Sequence, residues 1–263
     1  MAVMAPHELD GFFESPEDAP PRRLAMLRGY FDESGHESKD WVVVAGFIGT
    51  RDQWNAFVPQ WKGALGQRRS LHMRELRWNK DRTKRMLARL GPIPHACGLT
   101  GARGVVRVSD YVDLVVGKDD ERLYPGYIAC LLLMVGQIIE GIPSDERIEF
   151  VFEQQKQYEP YIDMVMRIYA RPASMGGTHL NSAGLPQVAR WAYVAKQSTV
   201  MTDPADYLAF ALRSLHDNPN STKTRWCLPI FAGNQGYGNT LERDMVRRIV
   251  VGAQKRNKEQ GLD

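Results

Sequence analysis

The chain has 263 residues, is 43% hydrophobic and 25% charged, and carries a formal net charge of +3. Those values describe a soluble globular protein with one large domain or two small ones, able to bury a core without staples. They exclude a disordered or fibrous chain, and a net charge this mild permits a nucleic-acid partner without demanding one.

Its most apolar run, Ile128 to Val135 and on to Glu140, is too short and interrupted to span a bilayer, so no membrane association is expected. The three cysteines, Cys97, Cys130 and Cys227, form no CxxC pair and no zinc spacing. Free thiols in a reducing compartment and the lack of a secretory signal pattern predict a cytoplasmic protein.

Residues 1–23 are rich in proline and acids and read as a mobile tail, with a short turn at Leu9–Phe13. Met26 to Gly35 then reads as a strand running into a tight turn. Alternation puts Tyr30 and Asp32 on one face, Phe31 and Glu33 on the other. Trp41 to Ile48 predicts a buried second strand, antiparallel to the first. Thr50 to Leu65 reads as a helix capped by Thr50 or Asp52, with Pro59 arguing for a kink or a break. The segment Leu71 to Leu76 fits no simple element. Asp81 to Leu90 is a basic amphipathic helix ended by Gly91, and Ala96 to Val108 a further strand or hairpin.

Tyr124 to Ile142 is the most apolar helix and is expected to be the central one. Arg147 to Glu153 alternates as a strand, with Glu149, Val151 and Glu153 on one side. Tyr158 to Tyr169 is another helix, Ser174 to Gly184 a loop, and Pro186 to Ala195 a strand candidate. Thr202 to Leu215 has strong helix-start signals in Asp203 and Pro204. Trp226 to Phe231 is an edge-strand candidate because of Pro229. A Gly/Asn loop follows from Gly233 to Asn239, then a basic helix from Thr240 to Lys255. Residues 24–218 form the expected main domain, with 219–263 packed on it. The mixture of antiparallel opening strands and alternating helices predicts an α/β or α+β domain with a mixed sheet. No dinucleotide or P-loop fingerprint is present.

Three acids at element ends stand out: Asp32, Glu153 and Asp206. Ends of neighbouring strands and an adjoining helix start can converge where open α/β sheets bind ligands. Two carboxylates about 4 Å apart repel by roughly 4 kcal/mol at an effective dielectric near 20. A divalent cation removes that repulsion, and an all-oxygen site suits Mg²⁺ or Mn²⁺. Each residue also has a plain reading. Asp203 and Asp206 serve equally as helix caps, Glu153 as a solvated strand end, and Glu33 reaches the site only if the turn begins at once. His72, Glu75 and Lys196 are either solvated or accessory to the site.

With these residues named, the sequence resembles a bacterial and phage family catalogued as domain of unknown function 3800. The likeness lies in Asp32-Glu33-Ser34-Gly35, in His72 with Glu75 and Leu76, in Glu153 ending a middle strand, and in Lys196 and Ser198 before Asp203-Pro204-Ala205-Asp206. It spans roughly residues 28–212. Asp203 departs from it, standing where the family usually has Gln. The resemblance implies a ribonuclease H-like fold, an α/β mixed sheet with antiparallel opening strands flanked by helices. It further implies a divalent-metal nuclease or phosphodiesterase, with Asp32, Glu153 and Asp206 on the metal, Glu33 assisting, and DNA or RNA as substrate. Arg82, Arg85 and Arg247, with Arg243 and Arg248, are candidate contacts to the nucleic-acid backbone, or simply solvated helix faces. The alternative is a non-catalytic module of the same fold that binds nucleic acid or a protein partner, as in a phage or defence assembly.

Overall fold

The computed structural model describes residues 26–35, 40–111, 126–196, 198–232 and 236–241. The expected tail at 1–23 and the basic helix bearing Arg243, Arg247 and Arg248 lie outside them, the helix apart from its first residues.

The chain opens with β1 (Met26–Ser34) and β2 (Trp41–Gly49), followed by α1 (Arg51–Leu65) and a 3-10 turn at Met73–Glu75. Next come α2 (Asp81–Leu90), α3 (Ile93–Ala96), β3 (Thr100–Arg107) and α4 (Val108–Tyr111). Then follow α5 (Gly126–Gly141), β4 (Arg147–Glu153), α6 (Glu159–Tyr169), β5 (Val188–Val194) and α7 (Asp203–Asp217). α8 (Thr222–Cys227) and β6 (Tyr237–Leu241) complete the described part.

One mixed sheet of 6 strands runs in the order β5-β4-β1-β2-β3-β6. β1 and β2 are antiparallel, as are β2 and β3, while β4 joins β1 in parallel and β5 joins β4 in parallel. The antiparallel opening is therefore as expected. Gly35 follows β1, and its φ of +105° and lack of a side chain let its backbone lie close against the Trp41 carbonyl.

Helices cover both faces of the sheet. α7 packs on β1 and β2 from one side, joined there by α1 and α2; α5 packs on β2 and β3 from the other, with α6 against it. The expected central role of α5 is thus shared with α7, whose residues Asp203 to Leu212 are all buried. α5 reaches β3 so closely that a side chain at Gly104 would collide with the Cys130 carbonyl.

Local signals explain most element bounds. Thr50 caps α1 by accepting from the Gln53 N–H at 3.3 Å, while the Gln53 side chain accepts from the Thr50 N–H at 2.8 Å. α1 runs through Pro59 to Leu65 rather than breaking. Its buried stripe of Trp54, Phe57, Trp61 and Leu65 offsets the one backbone bond that the proline forfeits.

The expected edge strand at Trp226–Phe231 is corrected: those residues form the end of α8 and a 3-10 turn at Leu228–Phe231. Ser221 caps α8 by accepting from the Thr224 N–H, and Pro229 sits in the first turn of the 3-10 segment, where its missing N–H costs nothing. The sheet edge is supplied instead by β6, parallel to β3, where a loop was expected through Asn239 and a helix from Thr240; Thr240 and Leu241 belong to the strand.

Candidate active site at the carboxyl ends of β1 and β4

β1 and β4 run in parallel with Tyr30 opposite Val151 and Phe31 opposite Phe152. One step past the last pair stand Asp32 and Glu153, both buried. Neighbouring strands lie about 4.8 Å apart, so these two carboxylates leave adjacent backbones on the face that α7 covers. α7 lies across β1 and brings Asp203 and Asp206 to the same place.

The acids of α7 do not cap their own helix. The Asp206 carboxylate accepts from the Met73 N–H at 2.8 Å and pairs with His72 Nδ1 at 3.0 Å, through the same Oδ2. Asp203 Oδ2 accepts from the Leu71 N–H at 2.8 Å and from the Trp61 indole N–H at 3.0 Å. Both side chains thereby tie the segment 71–73 to α7 and fix its path. The capping alternative for Asp203 and Asp206 gives way to this cross-linking role, and Thr202, the N-cap, makes no side-chain capping bond.

The acids bear on one another's protonation. Burial pushes the Asp32 carboxyl well above its usual range, and Glu33, Asp206 and Glu153 add to the push; only the Glu33 N–H, bonded to Asp32 Oδ1 at 2.8 Å, opposes it. Glu33 is raised to about 8 by burial and by Glu153, against the pull of Lys196 and Arg74. It departs from β1 on the side opposite to Asp32, yet Glu153 acts on both. Glu153 is raised by burial and by Asp206, while Lys196, with Nζ 3.4 Å from Glu153 Oε1, lowers it. Asp203 rises to about 7, chiefly through burial and despite its two N–H donors. His72 is held above its ordinary value by its bond to Asp206.

Asp32, Glu33, Glu153, Asp203, Asp206, His72 and Lys196 therefore share one electrostatic site. Glu75 stands one 3-10 turn away from His72, exposed, and lines a cavity together with Arg82. Arg85 is exposed on α2 and does not line that cavity. Arg247 lies outside the described residues.

Among the described residues, no three His, Cys, Asp or Glu side chains stand together as a finished ion cage. The donor chemistry nonetheless suits a hard cation: the carboxylates supply only oxygen. Raised carboxyls hold protons where a cation would otherwise neutralise them, and metal and proton compete for such groups.

A second charged group lies on the same face at the other end of β1 and β4, and the sequence reading missed it. Arg28 donates through Nε to Glu149 Oε2 at 2.7 Å, and Arg190 Nε lies 2.8 Å from Glu149 Oε1. The available signal was alternation, since Arg28 shares a strand face with Asp32, and Glu149 with Glu153. Trp61 and the Leu71 and Met73 N–H groups were missed as well; nothing local marks them.

No helix among the described residues is long and apolar enough to cross a membrane. No protein-family model matches the chain, and no curated protein matches it. The likeness described for Asp32–Gly35, His72–Leu76, Glu153 and Lys196–Asp206 rests on those short motifs.

Proposed function

We propose that the protein is a divalent-metal-dependent nuclease or phosphodiesterase built on a ribonuclease H-like core. The observation that carries this reading is the shared burial of Asp32, Glu153 and Asp206, drawn from three distant segments, with Asp32 raised first by that burial and further by Glu33, Asp206 and Glu153. Acids buried together are costly to ionise, and carboxyls perturbed in this way cluster at functional sites. The antiparallel opening of the sheet, with β4 added in parallel on the free side of β1, supports the fold assignment.

Asp32, Glu153 and Asp206 would hold Mg²⁺ or Mn²⁺, which when bound activates water and stabilises the charge of the transferring phosphoryl group. Glu33 serves as a further ligand or orients the attacking water. His72 favours its protonated form beside Asp206 and so donates a proton to the departing oxygen. Lys196, with its side chain 46% exposed beside Glu153, contacts a phosphate oxygen. Arg82 and its neighbours meet the backbone of the substrate. Cleavage of DNA or RNA that requires Mg²⁺ or Mn²⁺ and is lost in Asp32→Asn is the expected result. A Mn²⁺-soaked crystal in which no ion touches Asp32, Glu153 or Asp206 overturns the reading.

One observation favours a second reading, a non-catalytic module that binds nucleic acid or protein. Asp203, in place of the Gln usual in the resembled family, is spent on Trp61 and Leu71, and Asp206 on Met73 and His72. Nucleic-acid binding that persists in Asp32→Asn, with no cleavage by the unmutated protein under any divalent ion, selects this alternative.

A further inference from the structure

Beside the acids lies an open cavity of about 410 Å³ lined by Arg68, Glu75, Arg77, Lys80, Arg82, Thr83 and Met86. Four cations face one acid there, a net of +3, which equals the formal charge of the whole chain. None of the four forms an ion pair with a described carboxylate, and all four are exposed. Four exposed like charges against one acid repel one another, and an anion shared among them relieves that repulsion.

The cavity has a fixed frame. The Lys80 N–H bonds the Arg77 carbonyl at 3.2 Å, and the Thr83 hydroxyl donates to the same carbonyl at 2.9 Å. Arg77, Lys80 and Arg82 thus leave a closed turn at the start of α2. The cavity also adjoins the acids. Glu75 on its wall is three residues from His72, about 6 Å at the roughly 2 Å rise of a 3-10 turn, and its charge reaches the His72 ring.

We propose that this cavity seats the backbone phosphates flanking the cleaved bond, so that the substrate is a polynucleotide rather than a mononucleotide or a small phosphate ester. The inference rests on reading the acids as a hydrolytic site, and it adds Arg68, Arg77 and Lys80 to Arg82 as the binding set. Several phosphates engaged at once release several counter-ions, which a small ligand cannot do.

The test is the salt dependence of oligonucleotide binding in EDTA, where no cleavage occurs. For a single strand, each neutralised phosphate contact contributes about 0.7 to the slope of log K against log salt. Arg77→Gln and Lys80→Gln, exposed changes that leave the fold intact, are each expected to flatten the slope by about that amount. Arg167→Gln, exposed on α6 across the sheet, is expected to leave it unchanged. An unchanged slope in both cavity variants, an equal change in Arg167→Gln, no binding at low salt, or equal affinity for inorganic phosphate overturns the proposal. Slopes flattened in both cavity variants without any cleavage in Mg²⁺ or Mn²⁺ sink the hydrolytic reading and leave the cavity as a polynucleotide seat; cleavage with slopes unaltered in both variants sinks this proposal alone.

Discussion

Arg28 and Glu149 face each other across β1 and β4 at one end of those strands; Asp32 and Glu153 stand side by side at the other, four residues on, about 13 Å away. Both pairs are buried on the face beneath α7. At the first end Glu149 lies between two arginines, one of them from β5. At the second end Asp32, Glu33, Glu153, Asp203 and Asp206 crowd together, and the groups of opposite sign that act on them, His72, Lys196 and Arg74, are fewer. A buried ion pair that is complete is neutral or modestly helpful to stability, and strongly destabilising only when halved. An excess of buried acid costs stability continuously. The balanced end holds strand register; the unbalanced end is where function is to be sought.

The largest expected effect tests the balanced end. Glu149→Ala leaves Arg28 buried without its carboxylate and is expected to cost about 3–5 kcal/mol in urea unfolding. A loss below about 1 kcal/mol would show that the pair is not structural. Next comes Asp32→Asn at the other end. It is expected to lower cleavage by about 10²–10³-fold, because several kcal/mol of charge stabilisation leave with the ion. Its stability moves the opposite way: the metal-free variant is expected to melt higher than the unmutated protein, since a disfavoured buried acid is gone. A lower melting temperature with intact cleavage would invert the comparison.

The two ends were unequally legible in the sequence. Asp32 announced itself because a strand-to-turn transition at Ser34 and Gly35 is a local signal, and Asp206 because the helix start around Pro204 is another. The Arg28–Glu149 pair needs the register of strands 121 residues apart, which no local pattern supplies. The bonds from Trp61 and Met73 to α7 span 142 and 133 residues and are equally invisible. Trp226 to Phe231 misled because an apolar run with a proline reads as an edge strand, while the deciding signal was the Ser221 cap five residues earlier. Charge on α2 was legible as a stripe; that Arg82 shares a cavity with Arg68 and Arg77 while Arg85 does not depended on how the segment 66–80 folds back.

A smaller effect follows from the protonation of the unbalanced end. Glu33 at about 8, Asp203 at about 7, and Asp32 and Glu153 raised as well, all hold protons in the folded state that the unfolded chain releases near pH 4. A raised folded value means stability that is present at low pH and lost as pH climbs through the raised values. His72, also raised, contributes with the same sign. The difference in unfolding free energy between the unmutated protein in EDTA and Asp32→Asn is therefore expected to widen from pH 5 to pH 8. Mg²⁺ at about 100 times its dissociation constant restores about 2.7 kcal/mol at the upper end. A difference that narrows over that range would mean the acids are not mutually repelled.

The smallest effect separates the two cations that β5 and its continuation supply. Arg190 pairs with Glu149 at 2.8 Å, whereas Lys196 stands 3.4 Å from Glu153 with its side chain 46% exposed. Water screens such a pair, so Lys196→Gln is expected to cost under about 1 kcal/mol in stability. Its effect on chemistry is distinct. Lys196 lowers the Glu153 carboxyl, so removing it raises that carboxyl further and delays the ionised form that a cation needs. The acid limb of the cleavage rate is then expected to move to higher pH at saturating substrate. If Lys196 instead acts only on a phosphate of the substrate, KM rises and the limb stays in place. A pH profile measured beside KM in this one variant thus decides whether the lysine completes the charge balance of the acids or meets the ligand they serve.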